Sequence, residues 1–276
     1  MGLLPDEPPT RIMRPGFDRT PTRTAKELEI LYQDLAAAAE YQQALLPKEP
    51  PPLAGYEFGL VFRPARTVSG DFYDFLPLPD GKLGIIVADA SGKGIPAALA
   101  SMTCRALLRI QPEPDAAPAR VMAHLNRLLH RNIKPGMFIS GIYAVLDPSQ
   151  HSLAVANAGH LPLIVWRSRA KIATIHPSRC PVLGVLPPPA YEEAAREETI
   201  ALEPGDRFLV FTDGINEAMA PGQREFGMEH LRRRLRADSD GPTPALIANL
   251  TAQIDIHRGG AEQSDDITLV TARRLA

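Results

Sequence analysis

From Tyr56 to its end the chain breaks into short apolar runs punctuated by Gly, Pro, Asp and Asn, and this punctuation constrains the fold more than any other feature. Runs at Tyr56–Arg63, Phe72–Leu78, Lys82–Ala88, Phe138–Asp147, His151–Asn157, Leu163–Arg167, Lys171–Ile175, Arg207–Thr212 and Ile267–Arg273 have strand length. They are rich in the β-branched and aromatic residues that fill a pleated, half-buried surface. Asp80-Gly81 lies between two of them and predicts a hairpin, since both residues tolerate the positive φ of a tight turn; Pro148-Ser-Gln150 predicts a second. Helical periodicity occupies Pro96–Ile110, Pro118–Asn132, Met228–Arg236 and Thr243–His257. Strands thus come mainly in antiparallel runs with helices inserted in pairs. That order predicts an α+β fold, sheet on sheet with helices outside. The proline-rich stretches Pro112–Pro118 and Pro187–Pro189 read as surface connections.

Residues 1–23 are proline-rich, show little periodic hydrophobicity and read as a tail. A linker or dimerisation helix is expected over 24–46. Thr24 with Glu27 three residues on is a capping-box pattern, and Leu28, Leu31, Leu35, Ala38, Gln42 and Leu45 follow a three-four spacing. That spacing lasts about two and a half heptads, which suits a helix docked on its own domain as well as one that dimerises or transmits a signal. Pro47-Lys-Glu-Pro-Pro-Pro52 ends it, leaving 47–276 as the main domain. A composition of 45% hydrophobic and 22% charged residues supplies a sizeable core. Lys+Arg 30 against Asp+Glu 32 gives a net charge of −2, which excludes nucleic-acid or membrane attraction through bulk charge. The longest apolar stretch, around Phe138–Leu146, falls well short of a membrane span, and the start lacks a secretory pattern. Cys104 and Cys180 cannot make a disulfide framework or a cysteine-rich zinc site, and they suit a reducing cytoplasm.

Four places put an Asp at the end or turn of a β run: Ser69-Gly-Asp71-Phe-Tyr-Asp74, Val87-Ala-Asp89-Ala-Ser-Gly-Lys-Gly94, Phe211-Thr-Asp213-Gly214 and Ser264-Asp265-Asp266. Each Asp taken alone is first of all a turn residue. Together they are carboxylates at the border of core and solvent, and if gathered they would repel one another unless a cation neutralised them. An oxygen-only donor set favours Mg²⁺, Mn²⁺ or Ca²⁺ over zinc, and a pair of such ions can hold both oxygens of a phosphoryl displacement.

Read in order, Gly70-Asp71-Phe-Tyr-Asp74, Asp89-Ala-Ser-Gly-Lys-Gly-Ile-Pro-Ala-Ala98, Asn157-Ala-Gly-His160, Phe211-Thr-Asp-Gly214 and Asp265-Asp-Ile-Thr268 resemble the SpoIIE/RsbU-like bacterial branch of the metal-dependent PPM protein phosphatases. The resemblance covers about residues 45–276, and Gln43-Ala-Leu-Leu-Pro47 resembles the linker that precedes this domain in many members. It implies a β-sandwich of two antiparallel sheets flanked by helices. It implies a serine/threonine phosphatase with two or more Mn²⁺ or Mg²⁺ ions, held by Asp71, Asp89, the carbonyl of Ala90, Asp213 and Asp265. Asp71, Asp89 and Asp213 would carry catalysis, a metal-bridging water attacking phosphorus without a covalent phospho-enzyme. Asp74 and Asp266 take supporting or structural places, because the family pattern favours the first Asp of each pair. Arg66 stands five residues before Asp71, where relatives use an Arg to hold phosphate; a solvated edge-strand Arg is the other reading. Eukaryotic relatives carry a His where this chain has Ser91, which leaves the leaving group's acid unassigned. The partner that the resemblance implies is a phosphorylated anti-anti-sigma (STAS-type) protein of a partner-switching pathway; a homodimer through 24–46 is expected separately, from the heptad-like spacing of that helix.

Smaller features have plainer readings. Asn157 and His160 are expected to hydrogen-bond a turn and position a neighbouring loop. Lys93 either orients its loop, meets substrate or is solvated, and Cys104 is a small core residue. Two other functions compete with this reading. Gly92-Lys-Gly94-Ile-Pro-Ala97 matches a dinucleotide fingerprint, but Asp89 would repel a pyrophosphate and no second parallel strand with a ribose-binding acid follows. A catalytically inactive signalling module could bind the same regulator through the same surface, and the intact aspartates argue against it.

Overall fold

The computed structural model describes residues 24–110 and 117–276. The proline-rich tail and most of the 112–118 connection lie outside these residues. The first element is helix α1 (Ala25–Leu45). Its start is fixed by the expected capping box: the Thr24 N–H donates to Glu27 Oε2 at 2.8 Å while the Glu27 N–H donates to Thr24 Oγ1 at 3.4 Å. Leu46, the C-cap, is extended and buried ahead of Pro47. The far end of α1 docks on the domain. Buried Gln42 donates through Nε2 to the Ser69 carbonyl at 2.7 Å and accepts the Ser69 N–H at 2.9 Å.

Among the described residues twelve strands follow: β1 (Tyr56–Arg63), β2 (Asp71–Pro77), β3 (Leu83–Ala90), β4 (Ile139–Asp147), β5 (Ser152–Ala158), β6 (Leu163–Arg167), β7 (Ile172–His176), β8 (Glu198–Ala201), β9 (Arg207–Phe211), β10 (Met219–Ala220), β11 (Arg224–Glu225) and β12 (Ile267–Arg274). The other helices are α2 (Ile95–Arg109), α3 (Pro118–Asn132), α4 (Pro188–Ala194), α5 (Gly227–Asp238) and α6 (Thr243–Arg258). Two five-stranded sheets, in the orders β1-β12-β9-β6-β7 and β2-β3-β4-β5-β8, are antiparallel throughout, and β10-β11 is a small separate ribbon. Both expected hairpins are present. Asp80 takes φ 58° between β2 and β3, and Asp147 Oδ1 accepts the N–H groups of Ser149 (2.9 Å) and Gln150 (3.0 Å) between β4 and β5.

The sandwich is lined on both outer faces. α2 and α3 cover β2–β5, whereas α5 and α6 cover the β1-side sheet. β9 explains the layering, because Arg207-Phe-Leu-Val-Phe211 is apolar after its first residue without alternating with polar residues. Phe208 and Val210 enter the core between the sheets, while Leu209 and Phe211 enter the core under α5 and α6. A strand buried on both faces needs apolar side chains at both parities.

Two expectations are corrected here. Pro187–Pro189 is not a plain surface connection, since Pro187 caps α4 and the next two prolines form its first turn, where a missing N–H costs nothing. Four residues after α4, β8 adds an edge to β5, a strand the sequence reading lacked. Among the described residues no helix is long and apolar enough to cross a membrane.

Candidate metal and phosphate site

The acidic motifs meet at one end of the sandwich. Asp71 opens β2 directly opposite Asp89 on β3. Asp213 follows β9, Asp265 precedes β12, and those two strands are neighbours in the facing sheet. Threonines tie the sheets together here. Thr212 and Thr268 both donate their hydroxyls to Asp71 Oδ2, at 2.7 and 2.6 Å. Gly214 brings the other two motifs into backbone contact: a Cβ there would lie 2.0 Å from the Asp266 carbonyl oxygen and 3.1 Å from that of Asp265. Gly214→Ala is therefore expected to push the 213–214 turn off the 265–266 loop. It should cost about 3 kcal/mol, the upper end for overpacking, and lower turnover in the same variant. A melting curve and a phosphatase assay on that variant check both, and unchanged values would mean the loops part freely.

The charges in this corner oppose one another. Asp71, almost wholly buried, is held well above the ordinary carboxylate range by burial and then by Asp89, against the pull of its two threonine hydroxyls. Asp89 is pushed up to about 7, first by burial and then by Asp213, Asp265 and Asp266, with Lys93 offsetting part. Asp213 is raised by burial and by Asp265. Glu217 joins the group, raised by burial and by Asp213. It lies four residues after Asp213, and the sequence reading passed over it.

The second Asp of each pair is spoken for. Asp74 is fully buried and takes a fork from Arg109, with Nε to Oδ2 and a terminal nitrogen to Oδ1 both at 2.6 Å, while Arg105 Nε adds an ion pair at 3.0 Å. Asp266 accepts the N–H groups of Ala65 (2.7 Å) and Gly70 (2.8 Å), fixing the loop that leads into Asp71. Asp265 instead faces the cleft, where Lys93 Nζ meets its Oδ2 at 2.7 Å. Arg66 lines the same cleft with Asp89, Lys93, Asp265 and Asp266, and among the described residues no acceptor pairs with its guanidinium.

His160 is buried and neutral, its pKa pushed down to about 4 by burial. Nδ1 lies 2.9 Å from Ser140 Oγ and Nε2 lies 3.1 Å from the Phe211 carbonyl, so the ring bridges β4 and β9 behind the acidic residues. Asn157 accepts the His160 N–H (2.9 Å) and donates to the Leu161 carbonyl (2.9 Å), closing the expected turn. Ser91 Oγ accepts the Phe138 N–H at 2.9 Å while the Ser91 N–H donates to the Phe138 carbonyl at 2.9 Å, a role in loop structure.

Whether a cation suits this corner follows from its donors. They are carboxylates and a carbonyl, all hard oxygens, with protonation favoured first by burial and then by mutual repulsion, and a divalent ion would relieve the repulsion. Among the described residues no three His, Cys, Asp or Glu side chains already close around one point. Two of the four carboxylates are engaged elsewhere, Asp71 by threonines and Asp265 by Lys93. The donor chemistry fits a hard divalent ion.

Two five-stranded antiparallel sheets under paired helices are the architecture of PP2C-type (PPM) structures. The solved SiaA-PP2C domain of Pseudomonas aeruginosa superposes with a TM-score of 0.79 at 23% identity, over 91% of this chain and 99% of that one. Residues 79–275 match the family described as Stage II sporulation protein E (SpoIIE), and the chain belongs to that family. Phosphoserine phosphatase RsbU of Bacillus subtilis (strain 168) is 31% identical over 244 residues, covering 87% of this chain and 70% of RsbU. Protein IcfG of Synechocystis sp. (strain ATCC 27184 / PCC 6803 / Kazusa) is 29% identical over 268 residues, 87% of this chain but only 41% of IcfG. The family match and the similarity to RsbU place the chain among RsbU-type serine phosphatases.

Proposed function

We propose that this chain hydrolyses phosphoserine or phosphothreonine on a protein, using Asp71, Asp89, Asp213, Asp265 and the Ala90 carbonyl to hold two or more Mn²⁺ or Mg²⁺ ions. The observation that carries this reading is the convergence of the four separate Asp motifs on one cleft, with Asp89 raised to about 7 among the other carboxylates. Bound divalent cations would supply positive charge for the phosphate oxygens and make a nearby water acidic enough to attack phosphorus. The chain's own residues do the positioning. Thr212 and Thr268 orient Asp71, Asp266 sets the loop before it, and Arg66, in the lining of the cleft, offers a guanidinium to the phosphate. Attack by water breaks the P–O bond to the seryl oxygen, which leaves with a proton. Both cysteines are buried and their thiols are pushed up by burial, so neither suits a nucleophile.

Chelation tests the reading. With Mn²⁺ the chain should release phosphate from a small aryl phosphate, EDTA should lower the rate at least ~100-fold, and added Mn²⁺ should restore it. No release with any divalent metal would favour an inactive binding module instead. As substrate we propose a phosphorylated anti-anti-sigma (STAS-type) protein in the cytoplasm, on the strength of the RsbU similarity. Loss of phosphate from such a protein, followed by its mass, checks this.

We read α1 as a dimerisation helix continuous with residue 24 and the domain as starting near residue 47. The support is its exposed apolar side chains, among them Leu28 at 41%, Leu31 at 37% and Tyr32 at 66% exposure. Changing Leu28 and Leu31 together to lysine spares the Gln42 end. The double variant is expected to run as a monomer in light scattering while the parent runs as a dimer, and equal masses would remove this reading.

A further inference from the structure

Lys93 stands where a cation is wanted. It sits in the turn after β3, four residues past Asp89, and its ammonium nitrogen lies 2.7 Å from Asp265 Oδ2 and 3.0 Å from the Ser264 carbonyl oxygen. Its positive charge bears on Asp89 and Asp213 as well, so one side chain opposes the repulsion of three carboxylates from separate parts of the chain. The contact is close but open to water, with the side chains of Lys93 and Asp265 47% and 31% exposed. An ammonium on a flexible four-carbon stem can leave such a place for solvent at small cost.

A divalent ion and this ammonium compete for the same oxygens. Asp265 cannot give both lone-pair faces to a metal while Lys93 holds Oδ2, and a positive charge in contact with the cluster also repels an arriving cation. We propose that Lys93 is a built-in occupant of the candidate cation site, holding Asp265 until a divalent ion displaces it and so setting the ion concentration at which the site fills. This rests on the metal reading above and deepens it. The bond between Lys93 and Asp265 steadies the protein without metal, and its loss is part of the free energy of metal binding. The chain thereby gains a metal-free state that does not fly apart, at the expense of weaker loading.

The test is Mn²⁺ binding by the full chain, followed through the electron paramagnetic resonance signal of free Mn²⁺, with no turnover required. Lys93→Gln is expected to bind Mn²⁺ about tenfold more tightly than the parent, the scale of one nearby charge in a partly solvated site. Lys93→Arg, which keeps the charge, should bind as the parent does. In an Asp265→Asn background Lys93→Gln should bring clearly less tightening, because the shared partner is gone and only the repulsion of the arriving ion is relieved. The metal-free Lys93→Gln protein should also melt below the parent, with the gap closing or reversing once Mn²⁺ is saturating. Equal or weaker Mn²⁺ binding by Lys93→Gln, together with weakened binding by Asp89→Asn, would overturn the role of Lys93 and leave the metal site standing. No Mn²⁺ binding by the parent, or parent-like binding by Asp89→Asn, would remove the metal site and the proposal with it.

Discussion

Asp89→Asn is expected to abolish nearly all turnover, by about 100- to 1,000-fold, while the protein keeps its fold and melts higher than the parent without metal. The two effects have one cause. Asp89 is largely buried, stands opposite Asp71 and feels Asp213, Asp265 and Asp266, so its charge serves a bound cation and is a burden without one. An amide of the same shape keeps the packing and drops the charge. The gain is set by the raised pKa, about 7 against an ordinary value near 3.9. A carboxyl raised on folding contributes its stability in full below its unfolded pKa and loses it as pH climbs through the folded one. The metal-free parent should therefore lose stability between about pH 4 and pH 7 relative to Asp89→Asn. The variant should melt higher at pH 8, by roughly 4–8 °C for a gain of ~2 kcal/mol, with little difference at pH 4. Mn²⁺ affinity of the parent should fall from pH 8 to pH 6 as protons compete for Asp89. Melting curves at the two pH values and a rate with Mn²⁺ check these points, and near-parental turnover in Asp89→Asn would sink the assignment.

Asp74→Ala should do the opposite, costing stability first. Its carboxylate has no exposure and neutralises two guanidiniums of α2. Deleting one side of a buried ion pair strands the other and typically costs 3–5 kcal/mol. Arg109 is nearly half exposed and can turn to water, so most of the loss falls on Arg105, whose side chain is about one-tenth exposed. A melting temperature roughly 10 °C lower is expected by calorimetry. A drop within 2 °C would mean that α2 is held on β2 by its apolar face alone.

The two aspartates of Gly70-Asp-Phe-Tyr-Asp74 show what the residue string reveals and what it hides. Turn chemistry marks both, and the strands around them are legible because apolar runs of β length are bounded by Gly, Pro and Asp. β1, β6 and α3 fall at the bounds the pattern predicts. What a carboxylate bonds to is another matter. The partners of Asp74 lie 31 and 35 residues on, at Arg105 and Arg109, and those of Asp71 lie at Thr212 and Thr268. Only the folded chain brings these together, and no local period carries the pairing. β8 escaped because four residues beginning with Glu198 at a sheet edge bury only Ile200, so the apolar signal is one residue long. α4 escaped because its prolines look like a breaker unless they are read as a first turn.

Gln42 gives the long helix a mechanical hold on the acidic end of the sandwich. Its amide grips both backbone groups of Ser69, the Ser69 hydroxyl accepts the Asp71 N–H at 3.0 Å, and Asp71 starts β2. A slip of α1 by one residue would move its backbone by about 1.5 Å, more than two hydrogen bonds of 2.7 and 2.9 Å can stretch to absorb. Torque or traction on the helix is thus delivered in part to the peptide beside Asp71, alongside the core contacts of Leu46 and the hydrogen bond from the Tyr73 hydroxyl to the Pro47 carbonyl at 2.7 Å.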